Sequence, residues 1–99
     1  MKAVQVSGRF VHEDGSPCAG PIEFIPSKLW IDDGDESYAT LAYYGELVNG
    51  SFLVYLSRTD TAELPWHYTV KCPVGEWTIH VTEDGPLSLK SLLPSRFNT

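Results

Sequence analysis

The sequence predicts an all-β fold, a single antiparallel β-sandwich of about seven short strands. Three observations lead there. Apolar residues recur with period 2 along most of the chain, no stretch of ten or more residues holds a helical 3.6 period, and turn-forming clusters return about every 8–12 residues. The length of 99 residues suits one domain, 1–99. A chain of that size buries roughly 60–65% of its unfolded surface and leaves no room for a second lobe around a cleft.

Val4, Val6, Gly8 and Phe10 share one parity, with Gln5, Ser7 and Arg9 on the other, so the first strand is half-buried. Glu13-Asp14-Gly15-Ser16-Pro17 ends it, because Gly15 tolerates positive φ and Pro17 fixes its own. A second strand covers about residues 21–25, with Ile22 and Phe24 inward; Pro26 stops it or places its end at a sheet edge. Asp32-Asp33-Gly34-Asp35-Glu36 then makes an acidic loop between Trp30 and Ser37, and residues 38–44 alternate loosely.

The strongest local signal is Leu47-Val48-Asn49-Gly50-Ser51-Phe52. Asn-Gly between two apolar runs favours a type I′ turn, and therefore a hairpin, because both central residues tolerate φ > 0. Phe52, Val54 and Leu56 then alternate with Leu53, Tyr55 and Ser57. Residues 58–65 carry no strand period, although Thr59, Asp60 and Thr61 suit a tight turn. Trp66, Tyr68, Val70 and Cys72 line one side of the next strand. Pro73-Val74-Gly75 turns the chain, and Trp77, Ile79 and Val81 continue the inward set while Glu76, Thr78, His80 and Thr82 face out. After Asp84-Gly85-Pro86 come Leu87, Leu89, Leu92 and Leu93, more apolar residues than an exposed tail would carry. Residues 87–99 either dock on their own sheet or pair with a neighbouring chain by strand addition.

Thirteen acidic residues against seven basic ones give a formal charge of −6, which argues against nucleic acid or an anionic membrane as partner. The longest uncharged run, residues 47–57, is 11 residues and contains Asn49 and Gly50, whereas a spanning helix needs about 20. Lys2 leads into an alternating stretch and not the apolar core of a signal peptide, so synthesis in the cytoplasm, without entry to the secretory route by itself, is expected. Met1 at the head of the first strand and the polar end at Asn98-Thr99 fit a complete short chain. Cys18 and Cys72, 54 residues apart, lack metal spacing and are expected as reduced, mostly buried thiols.

Catalysis and metal binding find little support. The acidic loop is too compressed for the alternate spacing of a calcium loop. His12, His67 and His80 are scattered, and parity turns His67 and His80 outward. There is no Gly-x-Ser-x-Gly elbow, no glycine-rich phosphate loop and no basic patch. No cofactor is expected. Exposed aromatics are a different matter, since they can stack on sugars or anchor a protein interface. Trp66 and Trp77 follow the core parity, whereas Trp30, Tyr43, Tyr44 and Tyr55 are candidates for the surface, joined as interface candidates by Leu87, Leu89, Leu92 and Leu93.

Stretches along nearly the whole chain carry a resemblance. Val6-x-Gly8-x-Phe10, then Asp14-Gly15-Ser16-Pro17-Cys18-Ala19-Gly20, then Ile22-x-Phe24-x-Pro26 resembles the opening of the carboxypeptidase-regulatory-like, prealbumin-like family of immunoglobulin-like sandwiches. Gly50-x-Phe52-x-Val54-x-Leu56 with Thr59-Asp60, Tyr68-x-Val70, Trp77-x-Ile79-x-Val81 and Leu87-x-Leu89 are similar to its later strands. The likeness spans nearly the whole chain and implies a Greek-key sandwich. Within the family, the Asp14–Pro17 turn, the Pro26-Ser27 step and the Leu56-x-x-Thr59-Asp60 ending are similar to those of minor tail proteins of tailed phages infecting actinobacteria. That resemblance implies a non-enzymatic virion protein, assembled in the host cytoplasm and docked on other virion proteins of the tail or capsid in a symmetric array. A tail-tip or tail accessory role is the leading expectation, with capsid decoration as the alternative. A carbohydrate-binding module gripping a cell-surface glycan with Trp30 or the tyrosines is the third.

Overall fold

The computed structural model describes residues 3–33, 35–60 and 65–92. Its strands are β1 (Ala3–Arg9), β2 (Pro21–Pro26), β3 (Trp30–Asp33), β4 (Glu36–Ala39), β5 (Tyr43–Glu46), β6 (Ser51–Ser57), β7 (Tyr68–Cys72), β8 (Gly75–Ile79) and β9 (Leu87–Ser88), followed by a single turn of helix, α1 (Leu89–Leu92). The chain is all-β. Where about seven antiparallel strands were expected, the described residues form nine, in a three-stranded sheet β6-β1-β9, a four-stranded sheet β5-β2-β7-β8 and a two-stranded ribbon β3-β4. One pair, β1 with β9, runs parallel.

The period-2 pattern decides which side chains meet. Val4, Val6 and Leu56 of the smaller sheet share one core with Ile22, Phe24, Tyr68, Val70 and Ile79 of the larger. Phe24 of β2 and Phe52 of β6 touch across the gap, ring centroids 5.5 Å apart. Trp66 and Val81 extend this core beyond the strand ends, and Trp77 packs against it half-buried. Each fully buried aliphatic or aromatic side chain contributes about 1.5–3 kcal/mol relative to exposure, so alternation alone supplies the main driving force.

Two local expectations take a different form. The acidic segment is not a free loop: Asp32 and Asp33 lie on β3 and Glu36 on β4, paired from Trp30↔Ala39 to Asp33↔Glu36. Buried Ile31 anchors this ribbon to the core, a single apolar residue that the acidic composition obscured. The Asn-Gly turn forms as expected, with φ of 55° at Asn49 and 79° at Gly50 and reciprocal Val48–Ser51 backbone bonds. The hairpin stops there. β5 leaves to pair with β2 and β6 to pair with β1, so the turn carries the chain from one sheet to the other.

Beyond β6 the chain is tied down by Thr59, a buried polar residue. Its N–H donates to the Val81 carbonyl at 2.8 Å, and its hydroxyl accepts from the Val81 N–H at 2.9 Å. Thr61, the third residue expected to tighten this turn, lies outside the described residues.

Candidate functional site

Because β5 and β6 part company after one bridge, the two sheets gape along that side. The opening has a volume of about 650 Å³. Its floor is made by Ile22 and Phe24 from β2, Tyr43 from β5, and Phe52 and Val54 from β6; its rim is Tyr44, Val48 and Leu53, with Glu46 at one end. The rim is strongly solvated for apolar side chains, at 71% exposure for Tyr44, 75% for Val48 and 56% for Leu53. Tyr55, two residues along β6, is 51% exposed. Single exposed apolar residues are ordinary, but a row of them beside an apolar cleft is the candidate for a binding surface.

The backbone of β6 sharpens the site. In an antiparallel pair, alternate residues turn their N–H and C=O to the partner and away from it. Phe10 N–H bonds the Gly50 carbonyl at 2.8 Å, so the same parity gives Phe52, Val54 and Leu56 to β1, opposite Gly8, Val6 and Val4. Ser51, Leu53, Tyr55 and Ser57 therefore face the open side. Ser51 is satisfied there by Val48, N to O 2.9 Å in each direction, and the Ser57 N–H donates to the Tyr68 hydroxyl at 3.0 Å. Leu53 and Tyr55 have no such partner among the described residues. The edge is open at two residues, with both groups of Ser51 taken at one end and the Ser57 N–H taken at the other.

Sequence-derived candidates divide around this seam. Tyr43 and Tyr44 line it, Tyr43 from the floor and Tyr44 from the rim, and Tyr55 sits beside it. Trp30, 59% exposed, lies apart on the β3–β4 ribbon, beside a shallow depression shared with Lys28 and Leu29. The leucines serve the chain's own fold: Leu89 is buried in the core, and Leu87 and Leu92 pack half-buried against it. Of the two expectations for this segment, β9 follows the first, pairing with β1 at Val6↔Leu87 and Ser7↔Ser88. Leu93 and the rest of the tail to residue 99 lie outside the described residues. Leu53 and Val48 were missed because parity marks Leu53 as a solvent-face residue and Val48 as part of a turn. The signal available was the uncharged run 47–57 that contains both.

Apart from Glu46 and the two tyrosines, the titratable groups considered as candidates sit elsewhere. His67 and His80 do come together, ring centroids 6.0 Å apart at the start of β7 and the end of β8. Among the described residues no group of three or more His, Cys, Asp or Glu side chains is placed to hold a metal ion. Cys18 is buried and Cys72 half-buried, and both are free thiols. Arg58 binds Asp60 at 2.7 Å and Asp84 at 3.0 Å, and its guanidinium holds the Asp60 carboxyl below the usual carboxylate range. That cluster staples two loops. Compared with known proteins, the sequence matches no family model and no curated protein.

Proposed function

We propose that this chain is a non-enzymatic docking protein of a tailed-phage virion, an immunoglobulin-like, prealbumin-like Greek-key sandwich that acts as a minor tail component. The observation that carries the docking half of this reading is the open seam: an apolar cleft, an exposed apolar rim and a strand edge with unmade hydrogen bonds on one side of a small domain. An edge of this kind is a template for strand addition by another polypeptide. The virion half is supported by the resemblance of the Asp14–Pro17 turn, the Pro26-Ser27 step and the Leu56-x-x-Thr59-Asp60 ending to minor tail proteins. Repetition in a symmetric particle multiplies a weak contact into a firm one.

Quantitative mass spectrometry of purified particles tests the setting. A handful of copies per particle is the result expected of a tail protein. Copies in step with the major capsid protein would move the chain to the decoration role on the head exterior, and absence from the particle would overturn the virion reading. A glycan-binding reading draws on one observation, the exposed Trp30 beside its depression on the ribbon. It is the weaker reading, because Trp30 lines a depression separate from the cleft that Tyr43 and Tyr44 line.

A further inference from the structure

From the pattern of unmade hydrogen bonds on β6 we infer that the occupant of this edge is β6 of a second copy, paired antiparallel about a two-fold axis through Val54. The inference deepens the docking reading and rests on it for the surface, though not for the virion setting.

On the open side of β6, Leu53 and Tyr55 each present one donor and one acceptor without a partner among the described residues. They lie symmetrically about Val54, the central residue of the seven-residue strand. A two-fold axis at Val54 sets Leu53 opposite Tyr55 of the other copy, and Tyr55 opposite its Leu53. Both are then hydrogen-bonded pairs, because residues that turn their polar groups outward meet residues that do the same. The N–H and C=O of Leu53 and Tyr55 on both copies are satisfied at once, and Ser51 falls opposite Ser57, whose N–H groups are already held by Val48 and Tyr68 within each chain.

Neighbouring registers fail. An axis at Leu53 pairs Tyr55 with Ser51, whose N–H and C=O are already held by Val48. An axis at Tyr55 pairs Leu53 with Ser57, whose N–H is already given to Tyr68. The closures at Ser51 and Ser57 thus select one register out of three, and that register is self-complementary, as a two-fold interface requires.

Charge points to the same occupant. The protein carries a net charge of −6, yet residues 47–57 carry none, so identical strands meet there without like-charge repulsion. Natural edge strands are ordinarily guarded by charge, proline or a bulge, and β6 has none of these along its length. On the solvent face, the β6 pair places Leu53 against Tyr55 twice, an aromatic–aliphatic cross-strand contact. The added strand also runs along the mouth of the cleft, where it covers Phe52 and Val54.

Sedimentation velocity of the full chain, from micromolar to millimolar concentration, reads this out. Wild-type protein is expected to shift from monomer to dimer, and a monomer throughout would overturn the inference. Two variants at exposed positions fix the register. The pair Leu53→Lys with Tyr55→Lys sets like charges directly opposite one another and is expected to weaken the dimer at least about ten-fold. The pair Leu53→Lys with Tyr55→Glu sets opposite charges there and is expected to restore association to within about three-fold of wild type. Equal dimerisation by both variants, each checked for its β spectrum, would overturn the register. A monomeric chain that still enters particles would overturn the pairing alone, and a dimer absent from particles would overturn the virion setting alone.

Discussion

The backbone N–H of Ser57 donates to the hydroxyl of Tyr68 at 3.0 Å, tying the last residue of β6 to the first of β7 across the two sheets. Tyr68 is buried beside Trp66, ring centroids 4.9 Å apart, so the phenol is held by packing as well as by this bond. The contact closes one end of the open edge.

Replacing Tyr68 by Phe keeps the ring and leaves the Ser57 N–H without its acceptor. The expected cost is about 1–3 kcal/mol, read as a lower urea midpoint with unchanged slope. Burial also pushes the Tyr68 phenol above the ordinary tyrosine value. A raised folded-state pKa means that the native state holds its proton more tightly than the unfolded chain. Its contribution is full below the unfolded value of about 10 and is lost as pH rises through the folded one. The wild type should lose stability above about pH 10, and Tyr68→Phe should lose less.

Gly50 is the one residue that the seam's turn cannot replace. Its φ is 79°, and an added Cβ would run into the Phe10 carbonyl oxygen. Gly50→Ala should destabilise by on the order of 1–3 kcal/mol through strain at a left-handed position, in a denaturant titration. Gly15, with φ of 90° and open space around it, is the control; its Ala variant carries the strain without the clash and should cost less.

Thr59→Val retains shape and removes the hydroxyl that accepts from the Val81 N–H. An orphaned donor at a buried site costs about 1–3 kcal/mol, and Thr59→Ser should recover most of it in the same measurement.

Leu89 and Leu53 separate core from surface. Leu89→Ala should cost about 2–5 kcal/mol, as for other leucines truncated in a core. Leu53→Ala should change monomer stability by less than about 0.5 kcal/mol, since half its side chain is in water. A truncation meant to probe the tail must therefore begin after Leu92, because removing residues 87–92 opens the core as well.

The facing of β1, β2, β7 and β8 was legible in the sequence because period 2 is a local property: Val4 and Val6, Ile22 and Phe24, and Tyr68, Val70 and Ile79 are all inward as their parity indicates, whereas the acidic run hid β3 and β4. Sheet membership was not, because pairing joins residues far apart in sequence. Nothing near residues 47–52 says that β5 belongs with β2 and β6 with β1, so an Asn-Gly turn reads as a simple hairpin. The seam exists only because those partners differ. Its unmade bonds depend in turn on Val48 and Tyr68 capping the two ends of β6, a relationship between three separate stretches of chain. Tyr43 and Tyr44 were identifiable as aromatics without a clear side, and the parting of the strands is what puts one in the floor and the other on the rim.

Amide hydrogen exchange of Leu53 and Tyr55, followed by NMR from dilute to concentrated protein, tests the central claim most directly. If β6 is a docking edge that a second copy fills, these two amides exchange quickly in dilute solution and slow together as concentration rises, while the Val54 amide, already given to β1, stays protected throughout. Fast exchange at Leu53 and Tyr55 at every concentration, with association seen through some other surface or not at all, would contradict it.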